Sequence, residues 1–208
     1  MKQLRYPFSE EAVRALRAGE IVQVFGRLFT GRDRLHKHLA EGGTCPVSLR
    51  DGALYHCGPV VVPQGEGWRV VAAGPTTSVR EEPYMAEIIA RHGVRLVIGK
   101  GGMGAATQAA CVRCGCVYLQ AVGGAAALLA QRIKRVEGVS FLDTFGATEA
   151  LWQWEVEAFE AMVGIDTHGR NLFDEVRASS AEALRQLIIR PTKPTSFLQK
   201  KVILRRPM

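Results

Sequence analysis

Two short runs constrain this fold more than anything else in the chain. VRLVIG (94–99) and CVYLQAV (116–122) are almost wholly apolar. Neither alternates in polarity, so neither reads as a strand with one wet face. A short, continuously apolar run is what a strand needs when helices cover both of its faces, as in parallel sheets. The segments around them have helical character. EEPYMAEIIARHG (81–93) is a helix closed by Gly93, GAATQAACVRCG (104–115) is a helix of small residues, and GGAAALLAQRI (123–133) is a third. Alternating helix and strand in this way predicts an α/β domain with parallel pairing in its middle.

The flanks extend the pattern and then break it. PFSEEAVRALRAG (7–19) is a short helix, with Ser9 as N-cap and acidic residues in its first turn. EIVQVFGRLF (20–29) is a strand, and TGRDRLHKHLAEGG (30–43) is a helix in which Thr30 and Asp33 have capping-box spacing. DGALYHCGPVVV and GWRVVAAG are strands around a PQGEG turn. In ALWQWEVEAF (150–159), Trp152, Trp154 and Val156 alternate with polar residues, which predicts a strand; MVGIDTHGRNLF is a strand running into a turn. SSAEALRQLIIR predicts a helix capped by Ser180, before a basic, proline-containing tail.

Charge narrows the partners. The chain has 27 basic and 20 acidic residues, a formal charge of +7. Such an excess suits nucleic acid, an acidic partner or an anionic substrate. The basic residues are scattered, apart from a concentration after Arg190, and aromatic side chains are not interleaved with them, so no nucleic-acid partner is expected. No apolar run reaches the roughly 18 residues of a membrane span. MKQLRYPFSEE lacks the apolar centre of a secretory signal, so a cytoplasmic location is expected. The cysteines number five, three of them within CVRCGC, which argues against a disulfide scaffold.

In α/β sheets ligands gather at the carboxyl ends of the strands. Three polar loops follow strand candidates: TGRDRLH, GPTTSVR and GKGGMG. Arg32 and Arg80 each carry a planar fork that can grip a carboxylate with two hydrogen bonds. Lys100 adds a point charge, and Thr76, Thr77 and Ser78 add short donors and acceptors. This set suits a small dicarboxylate better than a nucleotide, because neither a Walker loop nor a dinucleotide glycine pattern is present. Each residue also has a plain structural reading. Thr30 and Asp33 can be a helix cap, Thr76–Ser78 a turn, and Arg80 a surface partner of Glu81 or Glu82. Lys100 on its glycine loop is the hardest to explain that way.

Six motifs in order then carry a resemblance: T-x-R-D-x-x-H, Y-H-x-G-P, G-P-T-T-S-x-R, I-G-K-G-G-M, G-G-A-A-A-L and I-D-T-H-G-x-N-L. The series resembles the β subunit, or C-terminal catalytic domain, of class I fumarase and L(+)-tartrate dehydratase, the iron–sulfur hydro-lyases. The resemblance implies a swivelling β/β/α domain, with a mixed sheet and flanking helices, over residues 1–173, and leaves 174–208 as a C-terminal helix and basic tail. It implies reversible dehydration of a 2-hydroxy dicarboxylic acid, malate or tartrate. It implies Arg32, Thr77, Arg80 and Lys100 as substrate-binding residues and Thr76 as base, with Asp33 and His36 supporting it. It departs from the family in having Glu81 where a methionine is usual, and TGRD for the commoner TARD.

The resemblance also implies a [4Fe–4S] cluster held by an α subunit and not by this chain, hence a hetero-oligomer, with a homodimer as the state of the chain alone. Cys111, Cys114 and Cys116 tempt a cluster assignment, but a helix end and the opening of an apolar strand are packing positions for free thiols. His56 beside Cys57 is read as packing in the same way. The competing function is a dicarboxylate- or anion-binding module that keeps the fold without catalysis.

Overall fold

The computed structural model describes residues 1–189. The chain divides into a compact unit, Met1–Phe173, and a second that begins at Asp174. Strands β1 (Lys2–Arg5), β2 (Ile21–Gly31), β3 (Ala53–His56), β6 (Leu96–Gly99) and β7 (Val117–Gln120) are joined in parallel. Helices α1 (Glu10–Arg14), α2 (Asp33–Ala40), α3 (Glu82–His92) and α4 (Ala105–Cys114) alternate with them. Between β3 and β6 the chain makes a separate hairpin, β4 (Val60–Gln64) and β5 (Gly67–Ala72). After β7 come the short α5 (Ala126–Ala130), β8 (Ile133–Ser140), α6 (Leu142–Phe145) and the long β9 (Leu151–Ile165).

β9 makes the sheet mixed and closes it. One of its edges pairs antiparallel with β2, and it also pairs antiparallel with β7 and β8. Strands β2, β3, β6, β7 and β9 therefore form a ring of pairings. Side chains alternate between two cores, as the two-residue period of a strand requires. Leu28, Tyr55, Ile98, Leu119 and Trp154 belong to one, which α1 and α5 also enter through Val13 and Leu129, with Leu16 just past α1. Phe29, Leu54, Val97 and Tyr118 belong to the other, beneath α2, α3 and α4. That double burial is why VRLVIG and CVYLQAV show no polarity alternation. The expected alternation of Trp152, Trp154 and Val156 is present, all three being buried in β9.

Two sequence expectations change. Thr30 does not cap α2: it lies inside β2, where its hydroxyl donates to Ala150 O (3.2 Å) and accepts from the Trp152 N–H (3.1 Å). The N-cap of α2 is Arg32, without a side-chain capping bond. Ser180 is not a cap either, because α7 runs Leu172–Ile189 and already starts at Leu172. The mixed sheet with flanking helices that the resemblance implied is present; its antiparallel half gave no signal in the residues themselves because β8 has mixed polarity and no fully buried position. The basic tail after Arg190 lies outside the described residues. Among the described residues no helix is long and apolar enough to cross a membrane.

Candidate functional site

The three polar loops meet at the carboxyl ends of β2, β3 and β6. Thr77 forms a parallel bridge with Lys100, and Cys57 an antiparallel one with Pro75. The Thr76 N–H donates to His56 O at 2.7 Å, and the Ser78 N–H to Lys100 O at 2.9 Å. These backbone bonds stitch GPTTSVR between β3 and β6. A 3-10 turn, Ser78–Glu81, then leads into α3. Three residues per turn place side chains i and i+3 on the same side. Thr77 and Arg80 accordingly face outward, while Ser78 and Glu81 are fully buried.

On the open side stand the charged groups. Arg80 bonds Asp33 at 2.5 Å, with side chains 51% and 35% exposed. Arg32 sits between Asp33 (3.8 Å) and Glu149 (3.6 Å). Gly58 makes room for it: a Cβ there would lie 2.7 Å from Arg32 Cδ and 2.8 Å from Thr148 O. Among the described residues, the Lys100 ammonium has no carboxylate partner and the Thr76 hydroxyl has no hydrogen bond. Arg32, Asp33 and Arg80 are thus joined by ion pairs, and Thr76, Thr77 and Lys100 lie on the loops stitched between β3 and β6. The expected Arg80–Glu81 or Arg80–Glu82 pairing does not form. Glu82 instead caps α4, accepting from the Gly104 N–H (2.7 Å), the Thr107 hydroxyl (2.7 Å), and the Ala106 and Thr107 N–H groups.

His36 is not on that face. It is fully buried, its Nδ1 bonded to Arg32 O at 2.7 Å, and burial pushes its pKa down to about 4. It packs edge-on against His56, with ring centroids 4.9 Å apart. His56, expected as packing, is held by Ser78. The Ser78 hydroxyl accepts from the Lys100 N–H (3.1 Å) and the Tyr118 O–H (3.0 Å), so its one proton goes to His56 Nδ1 at 2.9 Å. Neutral His56 then carries its proton on Nε2. His56 is depressed well below the usual range, by burial first and by His36 second. Gly99 is what lets Ser78 stand there, since a Cβ on it would meet Ser78 Oγ at 1.8 Å.

Sequence reasoning missed Glu81 as a site residue. It is fully buried, lies 3.4 Å from His36 Nδ1, and neither carboxyl oxygen has a hydrogen bond among the described residues. Burial raises its pKa to about 8, and the Asp33 charge acts in the same direction. The signal was available in the spacing: in a 3-10 turn the partner of a buried Ser78 is Glu81.

Cys111 and Cys116 occupy packing positions, fully buried on the α4 side of the sheet. The Cys116 thiol donates to Val117 O at 3.7 Å, and burial holds its pKa well above the usual value. Among the described residues no group of three His, Cys, Asp or Glu side chains is placed to hold a metal ion. The I-D-T-H-G motif has a structural role at the other end of the sheet. Asp166 accepts from the N–H groups of Ala18 (3.0 Å), His168 (2.9 Å) and Arg170 (3.1 Å).

Comparison with known proteins adds what geometry alone does not. A protein of Geobacillus stearothermophilus named "Putative fumarate hydratase class I" is 47% identical over 184 residues, covering 88% of this chain and 35% of that protein. The chain thus spans about a third of that relative. The L(+)-tartrate dehydratase subunit beta of Escherichia coli K12 is 37% identical over 183 residues, covering 87% of this chain and 90% of that subunit. The model of the family described as "Fumarase C-terminus" matches residues 2–176, nearly the whole of the compact unit that carries the loops, and the chain belongs to that family.

Proposed function

We propose that this chain is the β-type half of a hydro-lyase that reversibly dehydrates a 2-hydroxy dicarboxylic acid, malate or L-tartrate. One observation carries the reading: two arginine forks, a lysine without a partner carboxylate and two threonines share one open face at the strand ends. Arg32 and Arg80 hold the substrate carboxylates, and Lys100 and Thr77 complete the clamp. Asp33 and Glu149 keep the two guanidiniums oriented while the site is empty of anion. Thr76, anchored through its N–H to His56 O, presents its hydroxyl to the carbon that loses a proton. Threonine is a weak base at its free pKa and needs help. Asp33 is the accessible candidate for that help, since His36 lies buried behind Arg32. The Lys100 charge favours negative charge developing beside it.

The departing hydroxide calls for a Lewis acid. A [4Fe–4S] cluster, held by an α-type partner that covers the same face, supplies that chemistry. The assay follows fumarate absorbance or oxaloacetate under anaerobic conditions, with the chain alone and then with such a partner. Turnover is expected only with the partner, and Arg80→Lys in the assembled enzyme is expected to lose about a hundredfold in rate while melting normally. Robust turnover by the metal-free chain alone would sink the two-part reading. Dicarboxylate binding without turnover in the assembly would favour a non-catalytic binding module.

A further inference from the structure

Among the described residues, Glu81 is the one carboxyl with both oxygens buried and without a hydrogen bond. Both of its oxygens are buried and unbonded among the described residues, as are His36 Nε2, His56 Nε2 and Arg32 Nε beside it. Buried polar atoms are nearly always paired, so such a concentration in one place needs a reason. His36 cannot pair Glu81 well. Its Nδ1–H is committed to Arg32 O at 2.7 Å, and the remaining 3.4 Å approach to Glu81 is too long for a good hydrogen bond. An ionised carboxylate in that position is far more expensive to bury than a neutral one.

The groups facing Glu81 are those of the dicarboxylate site itself. Arg32 comes from the β2–α2 junction, Asp33 and His36 from α2, Arg80 from its own turn, and Glu149 from the segment before β9, with His56 of β3 behind His36. Asp33 and Glu149 push the Glu81 pKa up and Arg80 and Arg32 pull it down, around the larger effect of burial. With Glu81 neutral, Arg32 and Arg80 face two carboxylates, Asp33 and Glu149, and the cluster carries no net charge. With Glu81 ionised, the cluster turns negative, and an incoming dianion meets an additional buried negative charge.

We propose that Glu81 is a positioning residue whose proton is linked to dicarboxylate binding: protonated, it leaves Arg32 and Arg80 to the substrate, and ionised, it competes for them. This rests on the reading of Arg32 and Arg80 as the carboxylate clamp. Linkage makes the effect reciprocal. A bound dianion holds the proton on Glu81, and loss of that proton weakens binding by the same factor. If only the protonated form binds, a group titrating at about 8 makes the affinity about tenfold weaker at about pH 9 than at about pH 6.5.

The test uses NMR on the 13C-labelled full chain, which detects millimolar binding of the probes L-malate and L-tartrate. The Glu81 carboxyl is expected to titrate near 8 in the free chain and higher with saturating ligand. Affinity is expected to fall about tenfold across the alkaline range in the native chain but not in Glu81→Gln or Glu81→Met. Two variants of different shape separate loss of the proton from loss of packing, and melting curves confirm that each is folded. An ordinary Glu81 titration near 4.5, or the same alkaline loss of affinity in both variants, overturns the proposal and leaves the clamp intact. Absence of binding by either dicarboxylate at every pH overturns the clamp, and this proposal with it.

Discussion

Ser78→Ala tests the buried half of the site. The hydroxyl ties Lys100, Tyr118 and His56 together at 3.1, 3.0 and 2.9 Å, and all three bonds vanish in the variant. At about 1 kcal/mol for each bond the chain loses about 3 kcal/mol. For a unit the size of Met1–Phe173, that lowers the melting temperature by about 6–12 °C. The structure supplies an internal control. Gly99→Ala is more damaging alone, because its Cβ would stand 1.8 Å from Ser78 Oγ, in a core with nowhere to move. In the double variant that contact is absent, and the remaining approaches, 3.1 Å to His56 Nδ1 and 3.2 Å to the Cβ of residue 78, are tight but tolerable. The two losses should therefore be non-additive by about 1–3 kcal/mol, the double variant losing less than the sum. Calorimetry or urea unfolding of the four proteins measures the cycle. A Ser78→Ala protein melting within about 2 °C of the native chain, or strict additivity, would refute the hub.

Gly58→Ala should displace Arg32, because the opposing Thr148 carbonyl is backbone and cannot yield; a stability loss of about 1–3 kcal/mol and weakened L-malate binding are expected, and unchanged binding would remove Gly58 from the argument. Replacing Cys111, Cys114 and Cys116 together by Ala should leave the iron content of the assembled enzyme unchanged while costing stability through lost packing; iron falling in step with the substitutions would reverse the assignment. Stability against pH has two opposed parts. His36, held at about 4 against 6.5, contributes stability that is present above 6.5 and lost as pH falls towards 4. Glu81, raised to about 8 from 4.5, contributes stability that is full below 4.5 and lost as pH rises through 8. Melting temperature should therefore decline between pH 6.5 and 8 in the native chain and stay level there in Glu81→Gln, and an equal decline in both would contradict it.

How much of this was legible depends on what each residue faces. The runs at β6 and β7 announced burial on both faces because ring interior and helix layer both exclude polar side chains there. The ring itself was not legible, since closure depends on β9 reaching both β2 and β7, a matter of register between segments far apart in sequence. Of the outward residues singled out in the sequence, Arg32, Asp33 and Arg80 are joined by ion pairs, and Thr77 and Lys100 by a backbone bridge. His36 was placed with them because helical motif spacing says which residues are near one another and not which face is wet. The same limit hid Glu81. A charged residue beside Arg80 reads as a surface partner until the three-residue period of the turn is applied, and then Ser78 and Glu81 must share the inward side. Gly99 shows the same coupling between motifs. In sequence, G-P-T-T-S-x-R and I-G-K-G-G-M are separate signatures, each glycine a generic sign of a loop. In the fold, the serine of one occupies the space the glycine of the other leaves vacant, and through that contact the backbone of Lys100 is held. The two motifs form one device, with Thr77 and Arg80 on its exposed side and Ser78, Glu81 and Gly99 on its buried side.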